Sequence, residues 1–175
     1  MKQSIFLAGG CFWCTEAVFL SLNGVLEVTP VYIGGKTEDP SYEEICTGDT
    51  EHAEAVKCVF DKTKISLSKI LEIFFKTHNP TELNKQGNDI GTQYRSEIFI
   101  TSQEQLKESE KAVLNAESLW QSKIHTKITF MKKYYPAENY HKNYYANNTE
   151  AMYCRLVIKP KLDKLKIEFN TLLKK

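Results

Sequence analysis

The stretch Ala8-Gly9-Gly10-Cys11-Phe12-Trp13-Cys14 separates a short apolar run from a helical pattern. Residues 4–8 predict a strand, residues 13–22 predict a helix, and the glycine pair lets the backbone turn sharply between the two. We therefore expect Cys11 at the point where the strand ends and the helix begins. Unpaired amide groups and the positive end of the helix dipole stabilise a thiolate at such a position. The sequence thus predicts a cysteine nucleophile there.

A second cysteine follows at CxxC spacing. Cys14 lies one helical turn after Cys11, close enough to trap an oxidised Cys11 as a disulfide. The alternative is that both cysteines are small buried hydrophobes packed beside Phe12 and Trp13. The Gly-Gly turn, the aromatic pair and the CxxC spacing together favour a chemical role over plain packing.

Composition and charge exclude several classes of protein. The chain has 175 residues, of which 42% are hydrophobic and 26% charged, and its formal net charge is +1. We expect a single domain over residues 1–175, and its nearly neutral charge gives no electrostatic case for binding nucleic acid or an anionic membrane surface. No apolar run approaches the roughly 20 residues of a membrane helix, and the first residues do not resemble a signal peptide. Five cysteines at irregular spacing fit a reducing compartment, so we expect a cytoplasmic protein, and nothing in the sequence requires more than a monomer.

Hydrophobic periodicity divides the rest of the chain into further strands and helices. Apolar residues at helical spacing predict an amphipathic helix over residues 66–77. Mixed strands and helices with short connections predict an α+β fold, a two-layer sandwich of a mixed sheet with flanking helices. Other strands are predicted at residues 24–33, 53–60, 97–101, 126–131 and 153–158, and other helices at 42–46, 102–121 and 162–172.

Two polar loops contain further candidates for chemistry. Glu54 stands at the entry to a strand among apolar neighbours, where desolvation favours the protonated carboxyl, so it can act as a general acid. The alternative is a salt-bridged or strand-edge glutamate. Asp89 and Tyr94 belong to a loop dense in hydrogen-bonding groups, which is otherwise a self-capped surface loop. The four histidines show no metal-ligand spacing, so we expect no metal site.

The chain resembles the peptide methionine sulfoxide reductase A family in several separated blocks. The blocks follow the family's order and span residues 5–158, which is nearly the whole chain. Their combination is specific, although any one block alone is not. They are Gly10-Cys11-Phe12-Trp13, Tyr32-Ile33-Gly34-Gly35, Pro40-Ser41-Tyr42, Thr47-Gly48-Asp49-Thr50 with His52-Ala53-Glu54-Ala55-Val56, Gln86-Gly87-Asn88-Asp89 with Gly91-Thr92-Gln93-Tyr94-Arg95-Ser96, and Pro136-Ala137-Glu138 with Tyr140-His141.

The resemblance implies a ferredoxin-like fold and the reduction of methionine-S-sulfoxide, free or in oxidised proteins, to methionine. Cys11 takes the role of the nucleophile that attacks the sulfoxide sulfur. Glu54 hydrogen-bonds or protonates the sulfoxide oxygen, and Phe12 and Trp13 form an apolar pocket for the methyl group. The resemblance also implies that Tyr42, Asp89 and Tyr94 complete the polar side of the substrate pocket.

The resemblance also implies a second thiol that resolves the sulfenic acid formed on Cys11. Cys14 stands where many family members have glycine, and Cys154 lies where others keep a resolving cysteine on a flexible tail. Here the tail continues into a predicted strand and helix and lacks the glycine-rich run, so we favour Cys14. The family carries no bound cofactor, and thioredoxin, or dithiothreitol in vitro, regenerates its members.

The CxxC pair is also a feature of two other classes of protein. A general thiol–disulfide oxidoreductase would use the CxxC pair, but Trp13 lies inside that pair and no thioredoxin-like βαβ unit with a following proline is evident. A zinc-stabilised binding module would use Cys11, Cys14 and two of the other cysteines, but no second CxxC is present. We expect Cys46 and Cys58 to lie in apolar surroundings and to be inert.

Overall fold

The computed structural model describes residues 1–175 and contains a six-stranded mixed sheet. The strands in chain order are β1 (Lys2–Gly9), β2 (Val25–Ile33), β3 (Ala53–Asp61), the short β4 (Lys85–Gln86) and β5 (Asp89–Ile90), β6 (Ser96–Ile100), β7 (Lys127–Phe130) and β8 (Tyr134–Pro136). The spatial order in the large sheet is β7-β6-β1-β3-β2-β8, while β4 and β5 form a separate hairpin. Only β6 and β7 pair in parallel; the other pairs are antiparallel.

The helices mostly follow the predicted positions. For example, Ser66 caps α3, because its hydroxyl oxygen accepts the Lys69 amide at 3.1 Å, as the predicted boundary requires. The helices are α1 (Phe12–Leu20), α2 (Tyr42–Thr47), α3 (Leu67–Thr77), α4 (Gln103–Trp120), α5 (Tyr144–Asn147) and α6 (Lys159–Phe169). None of them combines the length and the apolar character needed to cross a bilayer.

Successive side chains of the central strand β1 point to opposite faces of the sheet, so the core has two parts. Ile5 and Leu7 point to a cluster of 27 buried residues that includes side chains of α1, α3, α4 and α6. Phe6 and Ala8 point to the opposite face, into a smaller cluster with Phe99. This period of two is the geometry of a strand buried on both faces. The predicted α+β fold, a mixed sheet with flanking helices, is therefore confirmed.

The predicted strand at residues 153–158 is wrong, because this segment is helical. Cys154–Ile158 forms a π-helical turn that continues into α6. Cys154 and Ile158 are fully buried, whereas Leu156 is 69% exposed. A strand would have buried alternate residues, but a helix buries residues four apart on one face. Packing of that face against the cysteine cluster overrides the β-propensity of Val157 and Ile158.

Candidate active site

The turn after β1 positions the first cysteine. Gly10 has φ +93°, in the left-handed region that favours glycine, and a Cβ there would lie 2.7 Å from Cγ of Gln86. Cys11 follows as the N-cap residue of α1. The predicted junction of strand and helix at Cys11 is thus confirmed.

Three thiols lie together beneath this turn. Cys11, Cys14 and Cys154 pack with Ile158 in one buried cluster, and all three are free thiols. Cys11 is 7% exposed, Cys14 3% and Cys154 0%. CxxC spacing places Cys11 at the N-cap of α1 and Cys14 in its first turn, so that each thiol shifts the pKa of the other.

The charge distribution within the pair differs from the sequence prediction of a thiolate at Cys11. Burial raises the pKa of Cys11 well above its usual value, and the hydrogen bond to Cys14 and the charge of Glu54 act in the same direction. The amide of Trp13 lowers that pKa, but burial outweighs it. The hydrogen bond from Cys11 lowers the pKa of Cys14 to about 7, and the charge of Lys161 assists. Burial therefore opposes a thiolate on Cys11, whereas the lowered pKa of Cys14 lies close to neutral pH.

Glu54, the second residue of β3, is 1% exposed beside this pair. Its Oε1 accepts the amide of Phe12 at 3.3 Å, which fixes the carboxyl against the first residue of α1. Burial raises the pKa of Glu54 to about 8, and the charges of Asp89 and Cys14 add to the effect. The carboxyl is therefore largely protonated at neutral pH, as the sequence predicted.

Aromatic side chains form the apolar side of the site. Phe12 is buried, with its ring centroid 4.9 Å from that of His141. Trp13 stacks on Tyr144 with centroids 3.7 Å apart and an interplanar angle of 6°. The indole nitrogen of Trp13 also donates to Nδ1 of His141 at 3.0 Å. The rings of Phe12 and Trp13, which the family resemblance assigns to the methyl pocket, are thus held in place by contacts with His141 and Tyr144.

The predicted polar residues surround Glu54. Burial raises the pKa of Tyr42 and of Tyr94, and the charge of Glu54 raises both further. Both phenols are therefore neutral hydrogen-bond donors at physiological pH. Asp89 acts electrostatically on Glu54 and on Cys14. The structure thus brings together every residue that the sequence proposed for the site.

Three residues of the site carried no assigned role in the sequence analysis. Glu138 accepts the Tyr32 hydroxyl at 2.8 Å and the Tyr42 amide at 2.9 Å, so it holds α2 against β2. His141 is fully buried and accepts from Trp13. Glu138 and His141 belong to the block of residues 136–141 that carries part of the family resemblance, so this block was the sequence feature that pointed to them. Tyr153 contacts Asp89 and had no such signal.

The remaining cysteines and possible metal ligands can also be placed. Cys58 is fully buried in the larger core, as predicted. Cys46 is exposed at the end of α2, so the prediction of apolar surroundings is wrong for it. A short surface helix leaves that side chain in contact with solvent. No group of three or more His, Cys, Asp or Glu side chains is arranged to hold a metal ion.

Comparisons with known proteins show which family this chain resembles. A family model described as peptide methionine sulfoxide reductase matches residues 3–172. The peptide methionine sulfoxide reductase MsrA of Erwinia tasmaniensis is 52% identical over 164 residues, which cover 93% of this chain and 92% of that protein.

Solved structures of a yeast protein are also similar. The reduced form of Mxr1 from Saccharomyces cerevisiae matches with a TM-score of 0.83 and 37% identity, covering 87% of this chain and 89% of that one. Mxr1 in complex with Trx2 matches with a TM-score of 0.59 and 26% identity, covering 82% and 84%. The chain therefore belongs to the peptide methionine sulfoxide reductase family.

Proposed function

We propose that this enzyme reduces methionine-S-sulfoxide, free or within oxidised proteins, with Cys11 as the nucleophile and Glu54 as the acid. One observation carries the proposal. The buried Glu54 carboxyl is hydrogen-bonded to the amide of the residue that follows Cys11, at 3.3 Å. A protonated carboxyl and a thiol are thereby held side by side at the start of one helix.

The first step transfers the sulfoxide oxygen to Cys11. In this step the Cys14 thiolate accepts the proton of Cys11 as the Cys11 sulfur attacks the sulfoxide sulfur. Glu54 protonates the sulfoxide oxygen, which makes the sulfur more electrophilic. The new bond between the two sulfurs and the S–O bond of the substrate then break, the hydroxyl is transferred to the Cys11 sulfur as a sulfenic acid, and methionine leaves. Glu54 is left ionised and Cys14 protonated.

The substrate side chain requires an apolar slot beside a polar wall. A sulfoxide carries a polar S–O bond between two alkyl groups, so a methyl group must be desolvated while the oxygen is hydrogen-bonded. Phe12 and Trp13 are proposed as the methyl slot. Tyr42, Asp89 and Tyr94 are proposed as the polar wall, supported by their positions around Glu54.

Regeneration proceeds through an intramolecular disulfide, for which we favour Cys14 over Cys154. The placement of the CxxC pair across the start of α1 supports this choice, because Cys11 is the N-cap residue and Cys14 follows in the first turn. Cys154 belongs to the same buried cluster but lies within a separate helical turn. Thioredoxin is proposed as the reductant, supported by the solved complex of the related Mxr1 with Trx2. Dithiothreitol would replace it in vitro, and no bound cofactor is required.

We also propose a fold type, an oligomeric state and a cellular location for the protein. The sequence of elements β1-α1-β2-β3-α3-β6, with spatial strand order β6-β1-β3-β2, supports a ferredoxin-like core. Residues 1–175 are proposed as one domain that acts as a monomer. Five free cysteines support a reducing, cytoplasmic location. In that compartment the enzyme would repair proteins after oxidative damage.

The proposed function is tested by assaying both methionine sulfoxide epimers with thioredoxin or dithiothreitol. We expect reduction of the S epimer, lost in Cys11→Ser and retained in Cys46→Ser, which alters an exposed thiol. Failure to reduce the S epimer, or equal activity in Cys11→Ser, would contradict the proposal. Disulfide reduction without sulfoxide reduction would instead support a general thiol–disulfide oxidoreductase.

A further inference from the structure

Tyr153 lies between the proposed resolving thiol and the carboxylate of the substrate pocket. Its hydroxyl is 3.5 Å from Sγ of Cys14 and 2.7 Å from Oδ2 of Asp89. The Tyr153 ring meets the Trp13 ring edge-on, with centroids 5.9 Å apart and an interplanar angle of 79°. The hydroxyl has one hydrogen, which it donates to Asp89, so its oxygen is free to accept a proton from Cys14.

The proposed first step leaves Cys14 in need of such an acceptor. Cys14 carries the proton taken from Cys11, and a neutral thiol is a poor nucleophile. Cys14 is 3% exposed, and the Tyr153 hydroxyl lies against its sulfur at 3.5 Å. Glu54 regains a proton from solvent, since its pKa is about 8, and is then an acid rather than a base.

The geometry points to Tyr153 as the residue that passes the Cys14 proton to Asp89 while Cys14 attacks the sulfenic acid of Cys11. This inference rests on the proposed role of Cys14 as the resolving thiol. The Cys14 proton moves to the Tyr153 oxygen as the Tyr153 hydrogen moves to Asp89, so no tyrosinate forms. The new S–S bond forms as the S–O bond on Cys11 breaks. Glu54 protonates the departing hydroxide, and water leaves.

The relay also stabilises the Cys14 thiolate once it has formed. With the proton on Asp89, the Tyr153 hydroxyl turns its hydrogen toward Sγ, and this hydrogen bond lowers the pKa of Cys14. Other groups around Cys14 raise or lower its pKa, so the test must compare variants under matched conditions. These groups are Cys11, Glu54, Asp89, Cys154 and Lys161.

Tyr153→Phe tests the relay because it removes the hydroxyl and keeps the ring. In single turnovers without reductant, we expect methionine release at the wild-type rate but disulfide formation about ten-fold slower, the scale of one hydrogen bond to a charged group. Sulfenic acid should accumulate and be trapped by dimedone. The rate of disulfide formation should rise with pH as the Cys14 thiolate forms, and its midpoint should lie at higher pH in the variant.

Tyr145→Phe is the matched control, because Tyr145 is a half-buried tyrosine of α5 outside the relay. It should match the wild type in both steps. Equal rates and pH midpoints in Tyr153→Phe and the wild type would overturn the relay. A variant slowed equally in both steps would also overturn it, since that result indicates a structural role.

Two further measurements keep the outcomes distinct. If wild-type protein forms no Cys11–Cys14 disulfide, the proposed resolving cysteine is wrong, whatever Tyr153 does. If Tyr153→Phe does not fold, 3-fluorotyrosine at position 153 retains the side-chain shape and increases the acidity of the phenol. We expect the altered acidity to change the rate of disulfide formation but not of methionine release; an unchanged rate would overturn the relay.

Discussion

The N-terminal strand, turn and helix (residues 2–20) and the C-terminal segment (residues 139–169) supply cysteines to the same buried cluster by different means. The N-terminal region is shaped locally, since Gly10 takes a φ of +93° and the helix begins directly afterwards. The C-terminal region depends on tertiary contacts, since Glu16 of α1 accepts the Asn143 amide at 2.8 Å and Asp89 accepts the Tyr153 hydroxyl. The N-terminal region thus holds the proposed nucleophile in a locally determined turn, and the C-terminal region packs against it.

The largest expected effect concerns the anchoring of α1 in the main core. Phe19→Ala removes a ring that is 1% exposed and should lower the free energy of unfolding by about 3–5 kcal/mol. Leu156→Ala, in the C-terminal segment at 69% exposure, should change it by no more than about 0.5 kcal/mol. Urea unfolding of the two variants measures this difference, and similar losses would contradict the contrast between the regions.

The second expected effect concerns the acid beside α1. Glu54→Gln should slow single-turnover methionine release about a hundredfold, the scale of general acid catalysis. The wild-type rate should fall as pH rises through the Glu54 pKa of about 8, whereas the variant should lack that decline. Glu16→Gln, which alters another buried carboxyl of the same region, is the control and should keep both rate and decline. An unchanged rate in Glu54→Gln at neutral pH would refute the acid role.

The same carboxyl predicts a pH dependence of stability. Because the pKa of Glu54 is raised from 4.5 to about 8, the folded state binds more protons than the unfolded state between these values. The free energy of unfolding should therefore fall as pH rises from about 5 to about 8. Urea unfolding across this range should show the fall in the wild type and a smaller fall in Glu54→Gln; identical slopes would contradict the burial argument.

The smallest expected effect concerns the turn itself. Gly10→Ala places a Cβ in the left-handed region and 2.7 Å from Cγ of Gln86. It should lower the free energy of unfolding by about 2 kcal/mol, through backbone strain together with the close contact with Gln86. Gly87→Ala is the control, since Gly87 also has a positive φ but a Cβ there meets no atom within 4 Å. A loss in Gly87→Ala as large as in Gly10→Ala would show that the contact with Gln86 adds nothing.

The contrast between the regions also explains what could be predicted from the sequence. The turn at Gly10 and the helix at residues 67–77 follow from local patterns, and both were predicted. The helical turn at Cys154–Ile158 follows from burial against the cysteine cluster, and its apolar, β-branched sequence indicated a strand instead. Local periodicity carries no information about such a partner.

The candidate site shows the same limit. The position of Cys11 at a helix start could be predicted from the residues, but its raised pKa could not, because burial comes from distant elements. The hydrogen bond between Tyr153 and Asp89 joins residues 64 positions apart, so no short sequence pattern predicts it. Residue types and spacing therefore predicted which groups meet at the site, and the fold determined how strongly burial shifts their pKa values.

The central claim is that Cys11 and Cys14 act as one redox pair. Peptide mapping after one oxidation cycle with methionine-S-sulfoxide, in the absence of reductant, tests it most directly. We predict one equivalent of methionine, a Cys11–Cys14 disulfide and a free thiol at Cys154. A Cys11–Cys154 disulfide, with Cys14 still a free thiol, would contradict it.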